Sequence, residues 1–244
     1  SPTSGDSSNG IPRYDQKPQR RMSLRPFTAD PEVMSRIRAM QATDVEAVAR
    51  LHLAAMGNST WAQLGERFLR CLYTVLIDDE RFIGFVYQED MNIRGFIAGS
   101  QNTEAMMNAC FKRAWPVLGL AAFPKALQPK VLSKLIGTRR YNDASGADQY
   151  PESLFCSFEP NLRGKRVSGH INKVLFDDLY ARGHKHVKVT TEVDNEAANR
   201  QLTSWGFEDR ERFTFYGKQM VKYVLDLEAF ERVEPISIQR LHAL

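Results

Sequence analysis

The stretch that most limits what this 244-residue chain can become is FEPNLRGKRVSGHINKVLFDDLYARG, residues 158–183. The apolar run ESLFCSF (152–158) leads into it and reads as a buried strand. After a turn containing Gly164 and three basic residues, Val167, Ile171, Val174, Leu175 and Leu179 recur at helical spacing until Gly183. A strand that turns directly into a helix is a common way of holding a pyrophosphate. The first helical N–H groups have no intrahelical partner and carry partial positive charge. Arg163, Lys165 and Arg166 add full charges at the same place. On the residues alone, a basic loop before an ordinary amphipathic helix fits equally well.

The rest of the chain alternates around this unit. A short strand at Arg36–Met40 precedes a helix that Thr43-Asp44 would cap and that runs to about Met56. A second helix is expected over Trp61–Ile77, with Leu64, Phe68, Cys71, Leu72 and Val75 on one stripe. Arg81–Glu89 and Asn92–Ser100 read as a hairpin turning at Asp90-Met91. In the block 103–148, TEAMMNACFKRAW predicts a helix stopping near Pro116, LQPKVLSKLIG a second helix, and RRYNDASGADQY a loop. Beyond the 158–183 unit come a strand at His186–Thr191, a helix from Asn195 to Trp205, and strands at Glu211–Tyr216 and Met220–Leu227. The expected division is a disordered tail over 1–35, a domain over 36–228 and a C-terminal extension over 229–244.

The turn and a later block, VDNEAANRQLTSWGF, together resemble the GCN5-related N-acetyltransferase (GNAT) superfamily. Its coenzyme loop has the pattern Gln/Arg-x-x-Gly-x-Gly/Ala, and Arg163-Gly164-Lys165-Arg166-Val167-Ser168 stands in that register, preceded by Pro160. Asn195, Ala198 and Gly206-Phe207 fall at the spacings of the family's later block. The resemblance spans roughly residues 36–227. It implies an α/β fold of mixed α+β character, with a central sheet of about seven strands flanked by helices. The block 103–148 would then be a helical insertion before the coenzyme-binding strand. It also implies an enzyme transferring an acetyl group from acetyl-CoA to a primary amine of a small molecule or protein, by direct attack in a ternary complex and with no metal.

On that resemblance, Phe158, Arg163, Gly164, Lys165, Arg166, Val167, Ser168, Gly169 and Asn195 would bind the coenzyme. The N–H of Phe158 or a neighbour would polarise the acetyl carbonyl. Glu152 stands where some members place a glutamate base, and Glu192 is the second candidate. Helix capping is the plain alternative for Asn195. Two departures stand out: Arg166 and Ser168 replace small residues of the loop, and Leu202 stands where many members carry a tyrosine general acid. These leave room for a coenzyme-binding module without turnover, or for a longer-chain or O-acyl variant using the apolar insertion.

Charge and cysteine content narrow the class further. The net charge of +4 divides into +2 over 1–30, −2 over 31–102, +4 over 103–148 and its flank to 150, and zero beyond. No dense basic stripe with interleaved aromatics suggests nucleic acid. The insertion's charge would attract an anionic acceptor or coenzyme phosphates, and its apolar residues would wall the acceptor site or support a homodimer. Cys71, Cys110 and Cys156 are scattered, with no C-x-x-C spacing. Together with the lack of an apolar run long enough for a membrane span, this reads as a cytoplasmic protein. His170, His184 and His186 have no metal-ligand spacing, and His52, which on the resemblance faces the region where the first two helices shape the acceptor site, reads as packing. Ser59, Thr60 and Trp61 are expected as cap or acceptor-loop residues.

Overall fold

The computed structural model describes residues 28–57, 59–126, 150–215 and 217–231. A single seven-stranded sheet runs in the order β1-β2-β3-β4-β5-β7-β6. Its strands are β1 (Ile37–Ala39), β2 (Phe82–Glu89), β3 (Asn92–Ser100), β4 (Glu152–Phe158), β5 (His186–Glu192), β6 (Glu208–Phe215) and β7 (Lys218–Asp226). All neighbours are antiparallel except β4 and β5, whose parallel pairing encloses a helical crossover. The helices are α1 (Pro31–Ser35), α2 (Val45–Ala55), α3 (Thr60–Gln63), α4 (Glu66–Ile77), α5 (Thr103–Ala126), α6 (Val167–Ala181), α7 (Glu196–Ser204) and α8 (Leu227–Glu231).

The period of two along the strands sends alternate side chains into two cores. Val86 and Phe96 face a core built with Val48, Leu72, Tyr73, Met106 and Cys110 from α2, α4 and α5. Phe85 and Ile97 face a second core, built with Ile171, Val174, Leu175 and Phe176 of α6 and with Leu202, Phe207 and Phe230. The expected mixed sheet of seven strands, flanked by helices, is the observed architecture.

Several boundaries differ from the sequence reading. Residues 31–35, placed in the tail, form α1: Asp30 caps it by accepting the Glu32 N–H at 2.9 Å, and Val33 and Met34 pack on the second core. Phe230, placed in the C-terminal extension, is buried in that core. The helix expected over 61–77 is broken into α3 and α4 at Gly65, whose φ of 94° only glycine adopts readily. The helix expected to end near Pro116 continues to Ala126. Its buried stripe Met106, Cys110, Ala114, Leu118 and Ala121 runs past the proline, and Pro116 itself is exposed. Packing therefore overrides the lost hydrogen bond. The LQPKVLSKLIG helix, the RRYNDASGADQY loop apart from its last residue, Tyr150, and most of the expected tail and extension lie outside the described residues.

Candidate functional site

β4 and β5 make the site by separating. They pair only at Glu152↔Lys188 and Ser153↔Val189. On its other edge β4 carries one residue more than β3: Gly99 faces Ser153 while Ala98 faces Phe155, so Leu154 is a bulge. A bulge bends and twists its strand, and here it lies where β4 leaves β5. The β5-facing edge of β4 from Leu154 to Phe158 is thereby left without a strand partner.

The helix that connects β4 to β5 starts at the wide end. A 3-10 turn at Pro160–Leu162 is followed by Gly164 at φ 81° and Arg166 at φ 61°. Arg166 stands at the α6 N-cap in the left-handed region, with no side-chain cap hydrogen bond. The left-handed conformation suits the glycine of the family loop and is strained for an arginine. A cleft of about 400 Å³ opens here, lined by Phe158, Leu162, Arg163, Gly164, Arg166, Val167, Ser168, Gly169, Gln201 and Trp205. Gln201 Nε2 donates to Ser168 Oγ at 3.0 Å, tying α7 to the first turn of α6.

Seven of the residues expected to bind coenzyme line this cleft: Phe158, Arg163, Gly164, Arg166, Val167, Ser168 and Gly169. Lys165 is exposed beside it and does not line it. Asn195 is the N-cap of α7, its Oδ1 accepting the Ala198 N–H at 3.3 Å, and is also absent from the lining. Gln201 and Trp205 were missed by sequence reasoning. Their spacing of four puts them on one helical face, beside the Gly206-Phe207 pair.

The N-terminal segment reaches the same turn. The Asp30 N–H donates to His170 Nε2 at 2.8 Å. The imidazole therefore carries its proton on Nδ1, which donates to the Arg166 carbonyl at 2.8 Å. Burial is the main cause holding the His170 pKa below its ordinary value, with the Arg166 charge acting the same way against two opposing contacts. Arg166 Nη2 donates to the Thr28 carbonyl at 3.2 Å.

At the narrow end lies Glu152, buried at 6% exposure. Thr103 Oγ1, at the start of α5, donates to Glu152 Oε2 at 2.9 Å, and Lys188 Nζ lies 3.8 Å from the same oxygen. Burial pushes the Glu152 pKa up, and Lys188, Thr103 and Lys222 oppose the rise. Glu192 stands at the far end of β5, opposite Met220, and pairs with Lys218. The two carboxylates expected as bases are therefore not brought together. Phe158 is likewise remote: six residues at ~3.3 Å each put it roughly 20 Å from Glu152 along β4.

The remaining singled-out residues take structural places. Cys156 Sγ accepts from Asn172 Nδ2 at 3.5 Å, and burial pushes its thiol up to about 12, which leaves no thiolate for nucleophilic chemistry. His52 is fully buried, sharing a 2.8 Å hydrogen bond with the Tyr73 hydroxyl and packing its ring on Phe155. Ser59 caps α3 by accepting the Ala62 N–H. Trp61 stacks between Phe68 and Phe111. His184 Nε2 bonds Gln101, and His186 packs on Tyr150. Among the described residues, no group of three metal-ligating side chains converges, and no helix is long and apolar enough to cross a membrane.

A seven-stranded mixed sheet whose parallel pair splays over a basic helix N-terminus is the fold of the GCN5-related N-acetyltransferases, and this chain has it. The solved structures it matches include the ribosomal-protein-S18-alanine N-acetyltransferase of Escherichia coli, at 12% identity and TM-score 0.51, covering 78% of this chain and 92% of that one. An N-acetyltransferase from Staphylococcus aureus Mu50 matches at 14% identity and TM-score 0.52, covering 78% and 99%. The spermidine/spermine N-acetyltransferase of Vibrio cholerae matches at 13% and 0.50, covering 83% and 99%. No protein-family model and no curated protein sequence matches the chain.

Proposed function

We propose that the chain is an acetyl-CoA-dependent N-acetyltransferase, acting in the cytoplasm on a primary amine by direct attack in a ternary complex. The observation that carries this reading is the separation of β4 from β5 just past Ser153 and Val189, with the basic α6 turn at its wide end. The residues present suit the coenzyme. Arg163, Arg166 and the first-turn N–H groups of α6 would meet the pyrophosphate, and a cleft of this volume falls within the range of ligand sites. The free edge of β4 would receive the pantetheine arm by strand-like hydrogen bonds.

Two roles need revision on this geometry. A carbonyl polarised at Phe158 would lie too far from an amine served by Glu152. The unpaired edge at the bulge, Leu154–Cys156, is closer to Glu152 and takes the polarising role. Glu152 removes a proton from the incoming ammonium, so that a neutral nitrogen attacks the thioester carbon. The C–N bond forms as the C–S bond breaks, and the electron pair leaves on sulfur. Leu202 is buried in the second core and offers no proton, so the second proton, shed by the acylated nitrogen, passes through water to the thiolate. A carboxylate whose pKa is raised by burial is a stronger base.

The test is thiol release from acetyl-CoA over a panel of amines, with Glu152→Gln as the variant. The expected result is a loss of about 10²- to 10⁴-fold in kcat/KM and disappearance of the acidic limb of the pH–rate profile. An unchanged profile rejects Glu152 as base. Tight coenzyme binding with no release to any amine supports the rival reading, a binding module, which the buried leucine at 202 favours.

A further inference from the structure

Lys188 is a buried ammonium with little to hold it. Only 8% of the residue is exposed, yet its Nζ lies 3.8 Å from Glu152 Oε2, too long for a hydrogen bond of ordinary strength. Among the described residues the ammonium has no other side-chain partner. Along β5 and β7, Val187, Val189, Val221 and Tyr223 turn into the second core. Lys188 and Lys222 therefore face the opposite side, the side from which Thr103 reaches Glu152. Lys222 is answered by Glu211. Lys188 shares its counter-charge with the proposed base.

That sharing has a consequence for the reaction. When Glu152 accepts the amine's proton it becomes neutral, and Lys188 loses its counter-ion. A buried charge without a partner is costly, unless the acceptor itself brings an anion. The same ammonium repels an acceptor carrying further positive charge, such as a polyamine.

We propose that Lys188 binds a carboxylate of the acceptor, and that the acceptor is a free amino acid or a close analogue. Its amine and carboxylate sit on one carbon, so their separation matches the short distance between Glu152 and Lys188. The amine meets Glu152, the carboxylate meets Lys188, and the ammonium keeps a counter-charge throughout. This specificity rests on the acetyltransferase reading given above.

The experiment compares free L-amino acids with the amines obtained by removing their carboxylate, following thiol release from acetyl-CoA with the full chain. The wild type is expected to favour the amino acid of a matched pair by ~10- to 100-fold in kcat/KM, the size of one charge-assisted contact. Lys188→Met is expected to bring that ratio close to one, with the loss in KM for the amino acid, while Lys188→Arg keeps the preference. Acetyl-CoA binding by each variant reports that it is folded. A wild type that prefers the decarboxylated amine, or a Lys188→Met enzyme that retains the preference, overturns the proposal. Thiol release with neither kind, despite coenzyme binding, also overturns the proposal, and the wider amine panel described above then decides whether the acetyltransferase reading beneath it stands.

Discussion

His52 shows how one buried side chain sets the response of the whole fold to acid. Its ring is enclosed by Tyr73, Phe96 and Phe155, and burial lowers its pKa to about 4 from an ordinary 6.5. The unfolded chain therefore binds a proton that the folded chain refuses. Stability from this residue is complete above pH 6.5, falls as the pH drops from there to about 4, and changes no further below. A shift of this size corresponds to about 3 kcal/mol. Urea midpoints taken at steps from pH 7 to 4 should show the loss, and His52→Gln should flatten that part of the curve. The sequence offered His52 as packing, which its stripe position supports. It could not reveal Tyr73 as the partner, because the two residues lie on different helices and meet only when both pack on β3.

At the level of elements, patterns held where each residue acted through its own segment. The motif turn and the cap at Asn195 were legible because their chemistry is local: a loop glycine and a side-chain oxygen three residues before the N–H it accepts. The β4 bulge was not. Leu154 is an extra residue only relative to β3, and nothing in ESLFCSF marks it. Pro116 misled in the opposite direction. Proline disfavours a helix interior by ~3 kcal/mol relative to alanine, so a helix break there was the natural reading. The stripe Met106, Cys110, Ala114, Leu118 and Ala121 offsets that cost by burying apolar surface on both sides of it. Pro116 and Lys112, whose carbonyl would otherwise accept its hydrogen bond, are exposed. Pro116→Ala should therefore stabilise the protein by about 2–3 kcal/mol, read as a higher urea midpoint at unchanged slope. No change would mean that the helix is already adapted to the proline.

Over the whole molecule, the sheet is a partition with one core packed on each face. The cleft lies on the α6 and α7 side, whereas Glu152 and Lys188 meet Thr103 on the α5 side. β4 and β5 are still paired at Glu152 and Lys188 and separate beyond Ser153 and Val189, toward the cleft. If the partition is sound, the cores should contribute independently. Val48 lies in one and Val174 in the other, both fully buried. Truncating either to alanine should cost roughly 2 kcal/mol from lost burial and the cavity left behind. Combined, the two should add within about 0.5 kcal/mol, as expected for sites with no shared partners. Ile171→Val with Val174→Ala, one helical turn apart in a single core, should depart from additivity. Equilibrium unfolding of the three single and two double variants and the parent measures both couplings. Strong coupling between Val48 and Val174 would mean that the sheet transmits strain from one core to the other. Changes in packing on the α5 side would then be felt directly in the cleft at the α6 turn.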